Sequence, residues 1–333
     1  MKKIVFFGTP DHSADVLSYF LEECSHEIEV VGVVTNPDRH IGRKKILTAS
    51  PVKKLAKNNN IPVFTPEKFD KNVIADLQVL CADFFIIVAY GTLIPQEVID
   101  IPNSGTFNLH FSLLPKYRGA SPVQSALLNG DKESGISIFS LVEAMDAGDI
   151  YIQEKCNLQS INSNGKLLKY NKNYLEILKE MTNIGKAKLR ELITNFYNFY
   201  PIAQNQKQAT FCGKFQKSDG EIDLKTISKT ELSKKYTAFY SWPGVFYFDK
   251  YEKRVKLIEL NFDFHPEIHT ALLEKYISKR IIHFTKEVID IGEYITFQKK
   301  KYIVLQDKTR KDKNIEFVEV LEIQREGKKS VKI

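Results

Sequence analysis

At 333 residues, 43% hydrophobic and 27% charged, the chain has the balance of a globular protein with room for two domains, which excludes a low-complexity or disordered polymer. No apolar run approaches the roughly 18–20 residues of a membrane span, and the opening MKKIVFFGTP is halted by Gly8-Thr9-Pro10 too early for a signal peptide, so a cytoplasmic protein is expected. The net charge of +7 lies wholly in residues 201–333, which hold 26 Lys and Arg against 19 Asp and Glu, whereas residues 1–200 hold 22 of each. A basic C-terminal part suits a polyanionic partner such as nucleic acid, although a lysine-rich surface kept for solubility explains it equally well.

In chain order, Lys3–Phe7 reads as a buried strand and Gly8-Thr9-Pro10-Asp11 as the turn after it. A helix follows over Ser13–Glu23 with Val16, Leu17, Phe20 and Leu21 on one face, and Ile28–Thr35 is a continuous apolar strand. Strand, helix and strand at this spacing form a βαβ unit, the start of a Rossmann-like α/β domain with a mostly parallel sheet. The glycines do not follow G-x-G-x-x-G, which argues against a dinucleotide site. His12 stands where an apolar or aromatic residue is expected.

Asp38–Leu47 reads as a long basic loop carrying Arg39, Arg43, Lys44 and Lys45, after which Ser50 caps a helix opened by Pro51. Ile61–Phe64 is a short strand, followed by a helix within Pro66–Leu80. Phe84–Gly91 is the most apolar strand and is expected to be central. It ends at Ala89-Tyr90-Gly91, where an open α/β sheet places its ligand crevice.

The richest stretch runs from Phe107 to Asp149. The strand TFNLHF carries Asn108 and His110 two residues apart, hence on one face. A loop through Ser112, Pro115 and Arg118-Gly119 follows, then a helix from Pro122, a strand ISIFSLV, and the acidic turn Asp146-Ala147-Gly148-Asp149. One amide, one imidazole and one carboxylate at neighbouring strand ends are the equipment for acid–base work on a bound substrate.

Tyr151–Leu158 reads as a further strand, and Leu167–Tyr197 as a helix packed across the sheet; Ser160–Asn173 is a polar excursion without assignment. Pro201–Ala209 is a polar connector. Beyond it, RVKLIEL and KYIVLQD are short strands separated by charged turns, as in a small barrel. Trp242, the only tryptophan, precedes Pro243-Gly244 and reads as a core anchor rather than a stacking surface. The four cysteines, Cys24, Cys81, Cys156 and Cys212, are widely spaced and read as reduced thiols. His265 and His269 lack a third ligand and read as surface residues, so no metal is expected.

Asn108-x-His110, the run Ser112-Leu113-Leu114-Pro115 within SLLPKYRGASPVQ, and Asp146 in its M-D-x-G-D turn resemble the folate-dependent formyltransferase family. The resemblance extends over both halves of the chain. The basic Gly42-Arg43-Lys44-Lys45 core, ATFCGKFQKSDGEIDL, Trp242-Pro243-Gly244 and LEIQREGKK are similar to the branch that acts on initiator methionyl-tRNA. It implies a formyltransferase domain over residues 1–198, a linker over 199–210, and an OB-like, tRNA-binding barrel over 211–333, in a monomer.

The resemblance further implies that Asn108, His110 and Asp146 are catalytic. Ser112, Leu113, Leu114 and Pro115, with Tyr90, Gly91 and Leu93, would contact 10-formyltetrahydrofolate, the formyl donor. Arg39, Arg43, Lys44, Lys45 and Lys214 would contact tRNA, with Lys214 and Lys217 on the strand that enters the second domain. Asn108 and His110 would donate to the oxyanion formed as the amine attacks the formyl carbon, and Asp146 would take part in relaying the ammonium proton. A sugar-nucleotide N-formyltransferase and a formyltetrahydrofolate hydrolase share these three residues. An RNA-binding protein on a dead scaffold is the reading outside enzymes. Residues Phe262–Phe297 match no part of the family pattern.

Overall fold

The structure, a computed structural model, describes residues 1–42, 44–161, 167–262, 268, 271–273, 292–306 and 315–333. Arg43, His265, His269 and most of Phe262–Phe297 lie outside the described residues. The chain divides into two compact units: residues 1–123, 133–157 and 176–214, and residues 124–132, 158–175 and 215–333.

The first unit begins with β1 (Lys2–Gly8), α1 (Asp11–Glu22), β2 (Ile28–Val34), β3 (Arg39–Ile41), β4 (Ile46–Thr48) and α2 (Pro51–Asn58). It continues through β5 (Val63–Phe64), α3 (Lys71–Val79), β6 (Phe84–Val88), α4 (Gln96–Ile99) and β7 (Gly105–His110). Then come β8 (Arg118–Gly119), α5 (Pro122–Asn129), which passes into the second unit, β9 (Glu133–Ser140) and β10 (Ile150–Asn157). The sheet order is β10-β9-β7-β6-β1-β2-β5. Strands β7, β6, β1, β2 and β5 are parallel, while β9 and β10 pair antiparallel at one edge. As its composition predicts, β6 is central, and all five of its residues are buried because both faces are covered.

From β1 the chain adds β2 and β5 on one side, then returns to add β6 and β7 on the other. The order therefore reverses between β1 and β6, and the crevice beyond their C-terminal ends is where such a sheet binds ligands. Asn36, only 8% exposed, ties this point together. Its Nδ2 donates to the Tyr90 carbonyl (2.8 Å), its Oδ1 accepts from Thr92 Oγ1 (2.7 Å), and its own N–H reaches Thr9 Oγ1 (3.5 Å).

Several local expectations are corrected. Asp38–Leu47 is a β-hairpin in its flanks, with Arg39 opposite Thr48 and Ile41 opposite Ile46. The helix expected within Pro66–Leu80 is found at Lys71–Val79, where the Asp70 carboxylate caps the N–H groups of Asn72 and Val73 at 3.0 Å. The unassigned stretch Ser160–Asn173 holds a hairpin of β11 (Gln159–Ile161) and β12 (Leu167–Asn171). The long helix, α6 (Tyr174–Thr194), thus begins seven residues later than its apolar pattern suggests. Lys214 lies in irregular chain after β13 (Phe211–Cys212), and Lys217 opens a short 3-10 turn, so neither is on a strand.

In the second unit, α7 (Lys229–Ala238) starts with a capping box in which Ser228 and Glu231 satisfy one another's N–H groups. An antiparallel sheet follows: β14 (Val245–Phe248), β15 (Arg254–Asn261), β16 (Tyr294–Phe297), β17 (Lys300–Gln306), β18 (Ile315–Arg325) and β19 (Ser330–Lys332). Its order is β14-β15-β18-β17-β16, with β19 beside β18. The hydroxyls of Tyr247 on β14 and Tyr294 on β16 are 3.0 Å apart, so the two end strands meet and the sheet is curled. Leu272, Ile295, Tyr302, Val304 and Phe317 fill one part of its core.

Candidate active site

Alternation along β7 decides what faces the crevice. Leu109 packs on Gly185 of α6 so closely that a Cβ on that glycine would lie 2.5 Å from Leu109 Cδ2. The long helix therefore covers this face, as expected, and Asn108 and His110 share the opposite one. Asn108 is half-buried, and its side-chain amide has no hydrogen-bond partner among the described residues. An amide with two N–H donors unspent beside a buried histidine is available to a substrate.

His110 is 6% exposed and stands edge-on to Phe139. Its Nε2 lies 2.9 Å from the Tyr117 carbonyl, and a carbonyl only accepts, so Nε2 carries hydrogen in either charge state. Proton exchange is left to Nδ1, which faces Asp146 Oδ2 at 3.7 Å. That distance exceeds a hydrogen bond, and both side chains are largely enclosed. Asp146 Oδ2 is held in turn by the N–H of Gly119 at 2.7 Å. Non-glycine residues in the left-handed region surround the crevice: Ala89 (φ 50), Tyr117 (φ 59) and Asp146 (φ 47). Such conformations cost on the order of 1–3 kcal/mol each and persist only where neighbours fix them.

The run Ser112–Pro115 is shaped mainly from within. Ser112 is fully buried, with Oγ donating to the Lys116 carbonyl (2.6 Å), so its hydroxyl builds the turn. Ser137 Oγ donates to the Ser112 carbonyl (2.7 Å) and accepts from Leu114 N–H (3.0 Å), and Gln153 Nε2 donates to the Leu114 carbonyl (2.8 Å). Leu114 is buried against Phe139 and Ile150, and the Leu114–Pro115 peptide is cis. Leu113 and Pro115 stay half-exposed. Leu113 lies over Gly135, where a Cβ would come within 2.6 Å of it.

At the end of β6, the ring of Tyr90 points into the core with Phe7, Phe69 and Phe85 as neighbours in one cluster, and its hydroxyl has no partner among the described residues. Burial pushes its pKa up to about 12. Gly91 (φ 79) and Leu93 are open to solvent, Leu93 being 79% exposed. Arg39, Lys44 and Lys45 are exposed on or beside the hairpin, together with Ile41, Ile46 and Leu47, and Lys214 is exposed as well. Among the described residues, no group of three His, Cys, Asp or Glu is placed to hold a metal ion, no helix is long and apolar enough to cross a membrane, and none of the four cysteines forms a disulfide.

Sequence reasoning missed the support of the site. Arg118, read only as loop, is 4% exposed and donates to the side chains of Gln204 and Gln206, residues read as featureless connector. Asn36 also went unnoticed. Each is a polar residue in a loop or a very short element whose partners lie tens of residues away, and no periodicity marks such a role.

The family profile described as Formyl transferase matches residues 1–173, and the profile described as Formyl transferase, C-terminal domain matches residues 214–333. The chain belongs to the formyl transferase family. More narrowly, it is 38% identical over 263 residues to the methionyl-tRNA formyltransferase of Campylobacter jejuni, covering 78% of this chain and 79% of that one. The methionyl-tRNA formyltransferase of Nitratiruptor is 37% identical over 265 residues, covering 78% and 80%.

Among solved structures, HypX from Aquifex aeolicus superposes with a TM-score of 0.60 at 16% identity over 100% of this chain, which spans 47% of HypX. The sugar 3N-formyl transferase WlaRD gives 0.58 at 18% identity, covering 99% of both chains. The methionyl-tRNA formyltransferase from Clostridium thermocellum gives 0.55 at 15% identity, covering 79% and 94%. At these identities the superpositions speak for the fold alone.

Proposed function

We propose that this protein transfers the formyl group of 10-formyltetrahydrofolate to the free amino group of methionyl initiator tRNA. The observation that carries the reading is the unspent amide of Asn108 beside the His110–Asp146 pair at the end of β7, one strand from the reversal point of the sheet, in a chain whose curated relatives are methionyl-tRNA formyltransferases. Residues 1–198 form the catalytic domain, 199–210 the linker and 211–333 the tRNA-binding domain of a cytoplasmic monomer that needs no metal.

The folate supplies an activated formyl carbon when bound. The residues present fit it: the half-exposed Leu113 and Pro115 and the open Gly91 and Leu93 line the strand ends, while Tyr90 contributes backbone and a buried ring. Asn108 donates to the formyl oxygen as negative charge grows there, a contact worth roughly 3–4 kcal/mol of transition-state stabilisation. The attacking ammonium must lose a proton, and Nδ1 of His110 takes it, with Asp146 stabilising the resulting imidazolium. That imidazolium presents Nδ1–H as the second donor to the developing oxyanion and returns its proton to the departing folate nitrogen as the formyl carbon–nitrogen bond breaks, while the second ammonium proton leaves to solvent. Arg39, Arg43, Lys44, Lys45 and Lys214 contact the phosphates of the acceptor end.

The test is formyl transfer from 10-formyltetrahydrofolate to charged initiator methionyl-tRNA, with elongator methionyl-tRNA and an amino-sugar nucleotide alongside. Transfer confined to the initiator tRNA is expected. Transfer to the sugar nucleotide instead would move the protein to the sugar branch and leave the catalytic assignment intact.

A further inference from the structure

Both catalytic side chains take their main-chain anchors from one three-residue segment. His110 Nε2 is held by the carbonyl of Tyr117 (2.9 Å), and Asp146 Oδ2 by the N–H of Gly119 (2.7 Å). Whatever places residues 117–119 therefore places the histidine and the carboxylate relative to one another.

That segment is itself placed by residues 204–212, which lead out of the first unit. Tyr117 N–H donates to Thr210 Oγ1 (2.8 Å), Arg118 N–H to the Thr210 carbonyl (2.8 Å), and Ala120 N–H to the Cys212 carbonyl (3.1 Å). Strand β13 runs parallel to β8, with Phe211 opposite Arg118. The approach is so close at Gly119 (φ 118) that a Cβ there would lie 2.1 Å from the Cys212 carbonyl oxygen. No side chain fits at that position.

One side chain in this strap reaches both halves of the site. Gln204, 7% exposed, accepts at Oε1 from Arg118 Nη2 (2.7 Å) and Nε (3.2 Å). Its Nε2 donates to the carbonyls of Asp146 (2.8 Å) and Gly148 (2.7 Å). The amide is fully used, with its acceptor on the 117–119 side and its donors on the Asp146 side. Only a group with an acceptor at one end and two donors at the other satisfies both. Gln206 Oε1 takes Arg118 Nη1 (2.9 Å), so the buried guanidinium is held by neutral amide oxygens and, among the described residues, by no carboxylate. The Asp146 carboxylate is left to Gly119 and to the side facing His110.

We propose that Gln204 is a positioning residue for the reaction, its amide locking the Asp146–Gly148 turn to the Tyr117–Gly119 segment so that the carboxylate and His110 keep their working separation. The inference rests on the formyl-transfer reading for its activity readout, and not for its spectroscopic one.

The decisive variant is Gln204→Glu, which keeps oxygen acceptors for Arg118 and offers no N–H to Asp146 and Gly148. Gln204→Met, of similar length and with neither function, is the companion should the first fail to fold. Misplacement of a catalytic group by an ångström costs on the order of 100-fold. We expect kcat per folded enzyme to fall at least about 10-fold in both variants, with KM for folate and tRNA within about twofold of wild type. In parallel, the proton on His110 Nε2, hydrogen-bonded to Tyr117, is followed in the ¹⁵N-histidine-labelled full chain, and its resonance should shift or exchange faster in both variants. Wild-type kcat in Gln204→Glu, or a loss that only tracks a lower melting temperature with an unchanged Nε2–H resonance, overturns the proposal. If wild-type protein fails to formylate methionyl-tRNA, the function reading falls while the imidazole resonance still decides the role of Gln204.

Discussion

Asn108 and His110 leave the same face of one strand, yet His110 is anchored to Tyr117 while the amide of Asn108 is bound to nothing among the described residues. A group that stabilises nothing in the free protein and is held ready by its strand is expected to act only on the substrate. Asn108→Ala should lower kcat by about 100- to 1,000-fold. The melting temperature should stay within about 2 °C of wild type, since no internal hydrogen bond is lost. Steady-state kinetics beside a thermal scan check both halves, and an active Asn108→Ala enzyme would remove Asn108 from the mechanism.

His12 packs edge-on against Phe111, with ring centroids 5.4 Å apart. Burial drives its pKa down to about 4, against smaller opposing effects of Asp11 and Asp15. The unfolded chain therefore binds a proton near pH 6.5 that the folded chain refuses until about pH 4. Stability is undiminished above pH 6.5 and declines as the pH falls through that window, by up to about 3 kcal/mol. Urea titrations between pH 7 and pH 4 should show this slope, and His12→Phe should remove most of its own share. Equal slopes in the two proteins would contradict the burial account.

Tyr90 has the opposite character to Asn108, because its hydroxyl is sealed in apolar surroundings without a partner among the described residues. Tyr90→Phe deletes a desolvated group and should stabilise the protein by about 1 kcal/mol. KM for the folate should be unchanged if only the backbone of Tyr90 meets it. A rise in KM would return the phenol to the binding site.

The hairpin β3–β4 presents the exposed side chains of Arg39, Lys44 and Lys45, which make no hydrogen bond or ion pair among the described residues. Paired Lys44→Ala and Lys45→Ala changes should raise KM for tRNA several-fold and reduce its dependence on salt by about two phosphate contacts' worth, leaving folate KM and the melting temperature alone. Measurement of kcat/KM from low to moderate salt separates this from a loss of folding.

What the sequence made legible was whatever carries a period or a packed motif. The continuous apolar run of β6 predicted a strand covered on both faces, and the Asn108-x-His110 alternation predicted two side chains on one face. Ser50 before Pro51 predicted a capped helix, and Ser50 Oγ does accept from Lys53 N–H at 3.0 Å. Legibility failed where long-range partners decide. Leu167–Asn171 continues the apolar pattern of a helix and pairs as a strand with Gln159–Ile161 instead. Gln204 sits in a stretch with no pattern at all, and its meaning depends on Arg118, 86 positions earlier in the chain.

The contact between Tyr247 and Tyr294 has a consequence for the life of the protein in a crowded cell. An open antiparallel sheet ends in two rows of unpaired N–H and C=O groups, each a template for a strand of another molecule. Here the two terminal strands are four residues long, and their tyrosine hydroxyls meet. Each shields the other's border, and the short length leaves little to template. In a lysine-rich domain that exposes Trp242, Phe248 and Tyr251, the border left beyond these two strands among the described residues is that of the three-residue β19.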